Sequence, residues 1–173
     1  IAGTVGNDTF VMHMTAENAV VQVGEQRFSF AATENRSFRL LGSFGNDRLD
    51  FVGSENKEEI DLRKHSARIN GTWFEVLVYG TEEIRFVGGG NEDLARFYDT
   101  ESNDTLVAGP FAASMSGDGY RNSVDGVHRI YGYATLGSDT AILSGVVGQR
   151  DNFSVQPTDA KLYGSDFYLH ASG

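Results

Sequence analysis

The sequence predicts an all-β fold, a parallel β-helix (β-solenoid) with composite repeats of about 46 residues. Three observations predict it. First, one skeleton is written twice, as NDTLVAGPFAASMSGDGY from Asn103 to Tyr120 and as RDNFSVQPTDAKLYGSDF from Arg150 to Phe167. The only 2 prolines, Pro110 and Pro157, fall on each other. In the same register Asp104 falls on Asp151, Ala113 on Ala160, Met115 on Leu162, Gly117 on Gly164 and Tyr120 on Phe167. Second, a Gly-Asn-Asp signature recurs. GNDTF starts at Gly6 and GNDRL at Gly45, where Asn7 and Asn46 precede the aspartates; NEDLARF starts at Asn91 and GSDTAIL at Gly137. Asp8, Asp47, Asp93 and Asp139 align, each followed two positions on by a residue expected to face inward: Phe10, Leu49, Ala95, Ala141. Third, apolar and polar residues alternate in short runs throughout, with 21 glycines to supply turns.

The strands follow in order. RFSF (27–30), LDFV (49–52), IDL (60–62), ARI (67–69), FEVLVY (74–79), IRF (84–86), ASM (113–115), FSV (153–155) and AKL (160–162) each place apolar side chains on one face. Gly, Asn, Asp and Ser separate them. ENKEEIDLRKH (55–65) has only Ile60 and Leu62 as apolar residues and reads as a turn leading into a strand, not as a helix. Glu58 and Glu59 are adjacent, so on a strand one of them meets the core or a turn. Each unit is expected to hold four short strands. Small residues at fixed stations, Ala95 over Ala141 and Ala113 over Ala160, suit close stacking of successive coils. Three clear periods cannot close a propeller ring, whereas a solenoid coil needs only its neighbours. A β-sandwich is the alternative, because alternation with regular turns predicts that as well. The chain reads as one module over 1–173, degenerate over 1–90 and clearer over 91–173. It starts at Ile1 and not at Met, as a segment of a longer protein would.

Composition narrows the function. The net charge of −10 disfavours nucleic acid, whose phosphates would be repelled, and offers no basic patch to anionic lipid. There is no cysteine, hence no disulfide framework and no thiolate site. No run of residues is apolar and long enough to suggest insertion into a membrane.

The Gly-Asn-Asp stations are good turns into strands: Gly supplies positive φ, and Asp accepts from backbone N–H groups. The calcium reading of the same stations would take ligands from Asp8, Asp47, Asp93, Asp104 and Asp139. The motif does not recur as tandem nonapeptides, so it is not a continuous calcium ladder. Glu58, Glu59, Asp61, Glu82 and Glu83 form acidic clusters without a spacing that defines a catalytic pair. His13, His65, His128 and His170 share no metal-ligand spacing. No nucleophile elbow or P-loop occurs, and no catalytic residue is assigned. Sequons occur at Asn7, Asn35, Asn70, Asn103 and Asn152. Trp73, Phe74 and Tyr79 share one strand, and Tyr98, Tyr131 and Tyr133 recur later, as packing residues or as a sugar-stacking face.

DLARFYDTESNDTL (93–106), GDGY (117–120) and IYGYAT (130–135), in that order, resemble the repeat arrays of giant secreted bacterial proteins, notably those of planctomycetes. GTVGNDTF (3–10) resembles the opening unit of such arrays, which are loosely described as hemolysin-type calcium-binding. The resemblance implies an extracellular or cell-surface, non-catalytic β-solenoid with no cofactor other than calcium. The repeat-defining positions would be Gly6, Asn7, Gly45, Asn46, Pro110, Gly117, Pro157 and Gly164. Such a structural repeat module would make matrix, fibre or adhesive contacts through solenoid stacking. Its partners would be neighbouring repeats, other copies of the same protein, or extracellular polysaccharide. Two alternatives remain, a carbohydrate-binding or polysaccharide-lyase-like β-helix and a calcium-dependent module.

Overall fold

The computed structural model describes residues 1–32, 36–90 and 92–173, and in them the chain forms strands and no helix. The chain is a β-solenoid of two facing nine-stranded sheets, here called sheet I and sheet II. β1 (Thr9–Met14), β2 (Asn18–Val23) and β3 (Gln26–Ala31) form an antiparallel meander in sheet I; β4 (Arg36–Leu41) crosses to sheet II and β5 (Arg48–Val52) returns. The next unit repeats this with the sheets exchanged. β6 (Glu59–Arg63), β7 (Ser66–Asn70) and β8 (Phe74–Tyr79) form the meander in sheet II, followed by β9 (Glu83–Val87) in sheet I and β10 (Leu94–Tyr98) in sheet II. The third unit has its meander β11 (Thr105–Ala108), β12 (Ala112–Gly117) and β13 (Tyr120–Asp125) in sheet I, then β14 (Arg129–Tyr133) and β15 (Thr140–Leu143). β16 (Asn152–Gln156), β17 (Asp159–Tyr163) and β18 (Tyr168–Ser172) close the chain as a meander in sheet II.

The composite repeat is therefore real, but it holds five strands, not four. An odd number sends successive meanders to opposite sheets. Pro110 and Pro157 occupy the same turn, between the first and second strands of consecutive meanders. Ala113 and Ala160 lie in opposite sheets, as do Ala95 and Ala141, so neither pair is stacked. The true vertical neighbours come from the parallel ladders: Phe10 on Leu49 on Ile84 on Asn122 in sheet I, and Ile60 on Ala95 on Ile130 on Leu169 in sheet II. These steps are 35, 38 or 39 residues, because hairpin lengths differ between coils.

Alternation decides what is buried. Phe10, Met12 and Met14 point in from β1 while Val11 and His13 point out. Met12, Phe51, Phe86 and Val124 form one inward column, in which the rings of Phe51 and Phe86 stack at 5.4 Å. Burying each such side chain contributes roughly 1.5–3 kcal/mol, so the stack holds without metal or disulfide.

The last three meanders share a second device. A side chain at Gly71, Gly117 or Gly164 would collide with the ring of Phe74, Tyr120 or Phe167 three residues on. In the third unit the Tyr120 hydroxyl donates to Asp104 at 2.8 Å. In the fourth, Phe167 has no hydroxyl, and Oδ1 of the equivalent Asp151 is buried without a partner. Phe167→Tyr should supply that donor and raise stability by about 1 kcal/mol, read from the midpoint of urea unfolding.

Candidate functional site

The turns that join the sheets carry most of the buried charge. Asp47, Glu58, Asp93 and Asp104 are buried, each at the residue or so before a strand. Glu58 and Asp104 accept from Ser54 N and Thr100 N of their own turns, while other carboxylates accept from the backbone of the coil before. Asp8 N donates to Asp47 Oδ1 at 2.7 Å, Asp47 N to Glu82 Oε2 at 2.7 Å, Glu58 N to Asp93 Oδ1 at 2.7 Å and Asp104 N to Asp139 Oδ1 at 2.8 Å. The asparagines reciprocate. Asn46 N donates to Asn7 Oδ1 and Ser138 N to Asn103 Oδ1, both at 2.9 Å. Gly45 and Gly137 take φ of 114° and 111° and lie directly against the backbone of Gly6 and Ser102 in the coil before.

The five aspartates of the calcium reading are distributed among three such columns: Asp8 with Asp47, Asp93 with Glu58, and Asp104 with Asp139. Among the described residues, only Asp104 and Asp139 of these five are brought together with a third carboxylate, Asp99, which the sequence reading did not single out; one oxygen of each lies within 4.8 Å of the others. These oxygens already accept hydrogen bonds: Asp104 from Thr100 N, Thr100 Oγ1 and the Tyr120 hydroxyl, and Asp99 from Thr135 N and Oγ1. Asn7, Asn103 and Asn152 are exposed and Asn70 is half-buried; Asn35 lies outside the described residues, as does Asn91 of the NED turn.

The acidic residues of the first cluster resolve by position. Glu59 and Asp61 face outward and pair with Arg96. Glu58 is fully buried among Ser54 and Asp93, accepting from Ser54 N and Ser54 Oγ. Burial is the main cause that raises its carboxyl to about 7, with the Asp93 charge adding to it. Burial also raises Asp47 and Asp93.

A row of aromatic rings lies on the outer face of sheet II. Tyr98 stacks on Tyr133 at 5.2 Å, Tyr131 lies 5.5 Å from Tyr168, and Tyr168 lies 6.2 Å from Tyr163. His170 meets Tyr131 edge-on, and the Arg63 guanidinium lies 3.9 Å over Tyr98. Tyr163 and Tyr168 join Tyr98, Tyr131 and Tyr133 only because the strands that carry them are neighbours in space.

The strongest irregularity is at one end of the stack. Among the described residues, β15 pairs only with β11, and β16 only with β17. Their inward residues have nothing above them: Phe153 is 65% exposed, Val155 61%, and Ala141 is exposed. A cavity of about 290 Å³ opens there between the sheets, lined by Leu106, Met115, Ala141, Val155, Ala160 and Ala171. At the opposite end Phe38 and Leu40 of β4 are buried, and Phe30 of β3 packs edge-on against Phe38 at 5.3 Å.

The carboxyl column has a consequence for pH. The folded chain keeps the Glu58 proton up to about pH 7, whereas the unfolded chain loses it near 4.5. Stability contributed by this group is therefore full below 4.5, declines as pH rises through that window and is flat above about 7. The loss should be on the order of 3 kcal/mol. Glu58→Gln, which keeps the shape and stays neutral, should flatten the profile in urea unfolding between those limits.

No family model, no curated protein and no solved structure matches the chain, so its own geometry carries the functional reading.

Proposed function

We propose that the chain is a non-catalytic structural repeat module of a secreted or cell-surface bacterial protein, acting in matrix, fibre or adhesive contacts through stacking at its open end. One observation carries this: inward-facing apolar residues of β15 and β16 are left in solvent, above a cavity that continues the core. Large exposed apolar surfaces on a folded protein mark interaction sites. The edges of β15 and β16 carry no charged residue of the kind that blunts a free edge. The buried carboxylates Asp47, Glu58, Asp93 and Asp104 sit at joints between coils, and Asp50, Glu59, Asp61, Glu75 and Glu83 stand in surface ion pairs.

A second reading rests on the tyrosine row. An outward line of rings flanked by Arg63, Arg96 and His170 has the composition of a glycan-binding face. Retardation in gels containing acidic polysaccharide, lost in Tyr131→Ala/Tyr168→Ala, would support it.

For the stacking reading, the chain displayed on bacterial cells should make them aggregate or adhere. The double variant Phe153→Lys/Val155→Lys, altered only at exposed positions, should abolish the effect while leaving the melting temperature within a few degrees. Adhesion unaffected by the double variant, or turnover of a polysaccharide by the chain, would overturn it.

A further inference from the structure

We propose that the outer face of sheet II binds a linear polysaccharide that carries carboxylates, a polyuronate, laid along the stack and across the strands. This rests on the glycan reading of the tyrosine row and names the polymer, its direction and the cations that hold it.

The two outer faces differ in a way the core does not require. Outward side chains take no part in the packing between the sheets, so the stack favours neither face for aromatic residues. Of the 7 tyrosines only Tyr120 points inward; Tyr79, Tyr98, Tyr131, Tyr133, Tyr163 and Tyr168 all stand on the outer face of sheet II. The outward positions of the sheet I strands hold no Phe, Tyr or Trp. Phe28 and Phe30 of β3 are no exception, because they follow the inward phase of Val21 and Ala19.

The charges of the tyrosine face are unbalanced. Its carboxylates are all engaged: Glu75 with Arg68, Glu59 and Asp61 with Arg96, and Asp159 with Lys161. Arg39, Arg63 and Arg129 are exposed and, among the described residues, have no carboxylate partner. The net charge of −10 hides this surplus, because most Asp and Glu residues lie in turns outside the strands.

The unpaired arginines are spread along the stack. In the order β14-β10-β6-β7-β8-β4, Arg129, Arg63 and Arg39 sit on the first, third and last strands. At the usual strand spacing that span is about 24 Å. Rings fill the intervals. Tyr133 pairs with Tyr98, the Arg63 guanidinium lies over Tyr98, and Arg63 leads through Ser66 to Tyr79. A groove of about 430 Å³ opens there, lined by Arg63, Ser66, Arg68, Glu75, Leu77 and Tyr79. A small acid would reach one of these arginines; an extended polymer reaches all of them.

The chemistry of the row selects an acid. Tyr98 and Tyr133 stack with planes 23° apart, and the planes of Tyr131 and Tyr133 are 9° apart. A ring covered by another ring offers a ligand its rim and not a flat face. Among the described residues none of the outward tyrosine hydroxyls donates to a protein acceptor, whereas that of Tyr120 is held by Asp104. The row thus presents phenol hydroxyls and guanidiniums, a run of donors. The planar guanidinium fork takes a carboxylate through two parallel N–H···O bonds. A neutral polymer would cover the arginines without supplying the charge they lack.

The test is affinity electrophoresis of the full chain, with EDTA present, in gels holding alginate, dextran sulfate or neutral hydroxyethyl cellulose. Alginate should bind more tightly than either of the others, and raising the salt should weaken it. Arg63→Gln/Arg129→Gln should reduce alginate affinity by about tenfold or more. Arg27→Gln/Arg121→Gln removes the same charge from exposed positions on the outer face of sheet I and should leave the affinity unchanged. Arg39→Gln/Arg129→Gln, which disturbs no ring contact, reads the same site if Arg63 proves necessary for folding. Equal losses in the sheet I and sheet II variants overturn the proposal, since they would report net charge and not a site. Tighter binding of dextran sulfate, of duplex DNA or of phosphatidylglycerol vesicles overturns it as well. The two readings fail separately. Equal retardation by alginate and hydroxyethyl cellulose, both lost in Tyr131→Ala/Tyr168→Ala, keeps a glycan-binding face and removes its acidic ligand. No retardation in any gel removes both.

Discussion

A coil made of two strands of four to six residues cannot bury its own inward side chains. Each depends on the coil above and the coil below to exclude water and to complete its backbone hydrogen bonds. The column Met12, Phe51, Phe86, Val124 satisfies that dependence because each residue is covered by its neighbours in a parallel ladder. The same constraint locates what is unsatisfied. In a stack, only the outermost coils lack a neighbour: at one end Leu40 is buried and Phe28 is 39% exposed, and at the other Val155 is 61% exposed. The meanders add strands outward within each sheet, which widens the sheets without relieving the requirement along the stack.

The joints between sheets pose a different problem. Where the chain turns, its N–H groups point along the stack axis toward the next turn and not toward a strand. Carboxylates from the following coil accept from them, and asparagine oxygens from the preceding coil accept in return. Such a joint places carboxyls in a poorly hydrated layer, and burial raises Asp47, Glu58 and Asp93 accordingly. Part of the acidity that suggests cation binding in the sequence is therefore spent on holding coils together.

Much of this was legible in the amino-acid order. Strands at 49–52, 60–62, 74–79 and 153–155 follow from alternation alone, and the turn into β6 at 55–58 follows from its lack of apolar residues. The composite repeat was legible because Pro110 and Pro157 mark the same turn. Stacking was read too simply: identical sequence positions suggest vertical neighbours, but five strands per unit exchange the sheets, and only counting strands reveals it. The coil-to-coil step stayed hidden because it varies between 35, 38 and 39 with hairpin length. The tyrosine row was half visible. Tyr98, Tyr131 and Tyr133 stand out, whereas Tyr163 and Tyr168 join them through strand order that no local pattern encodes. The exposure of Phe153 was illegible in principle, since the same residue type on β5 or β9 is buried and only the absence of a covering coil distinguishes it.

The sheet exchange also sets how the two ends of the stack are built. Meanders that alternated within one sheet would leave a single broad sheet and a narrow one, and the end strands would be staggered along the stack. Alternation across sheets gives two sheets of nine strands each, ending together at β15 and β16 and at β3 and β4. A meander has three strands, so its last runs parallel to its first, and the exposed edges keep the direction of the ladders behind them. Direction is thus preserved at both ends by topology, while inward size and charge are free to differ. One end carries Phe28, Phe30 and Phe38 with Arg27, Arg36 and Arg39, and the other carries Ala141, Phe153 and Val155 on strands entered from Asp139 and Asp151.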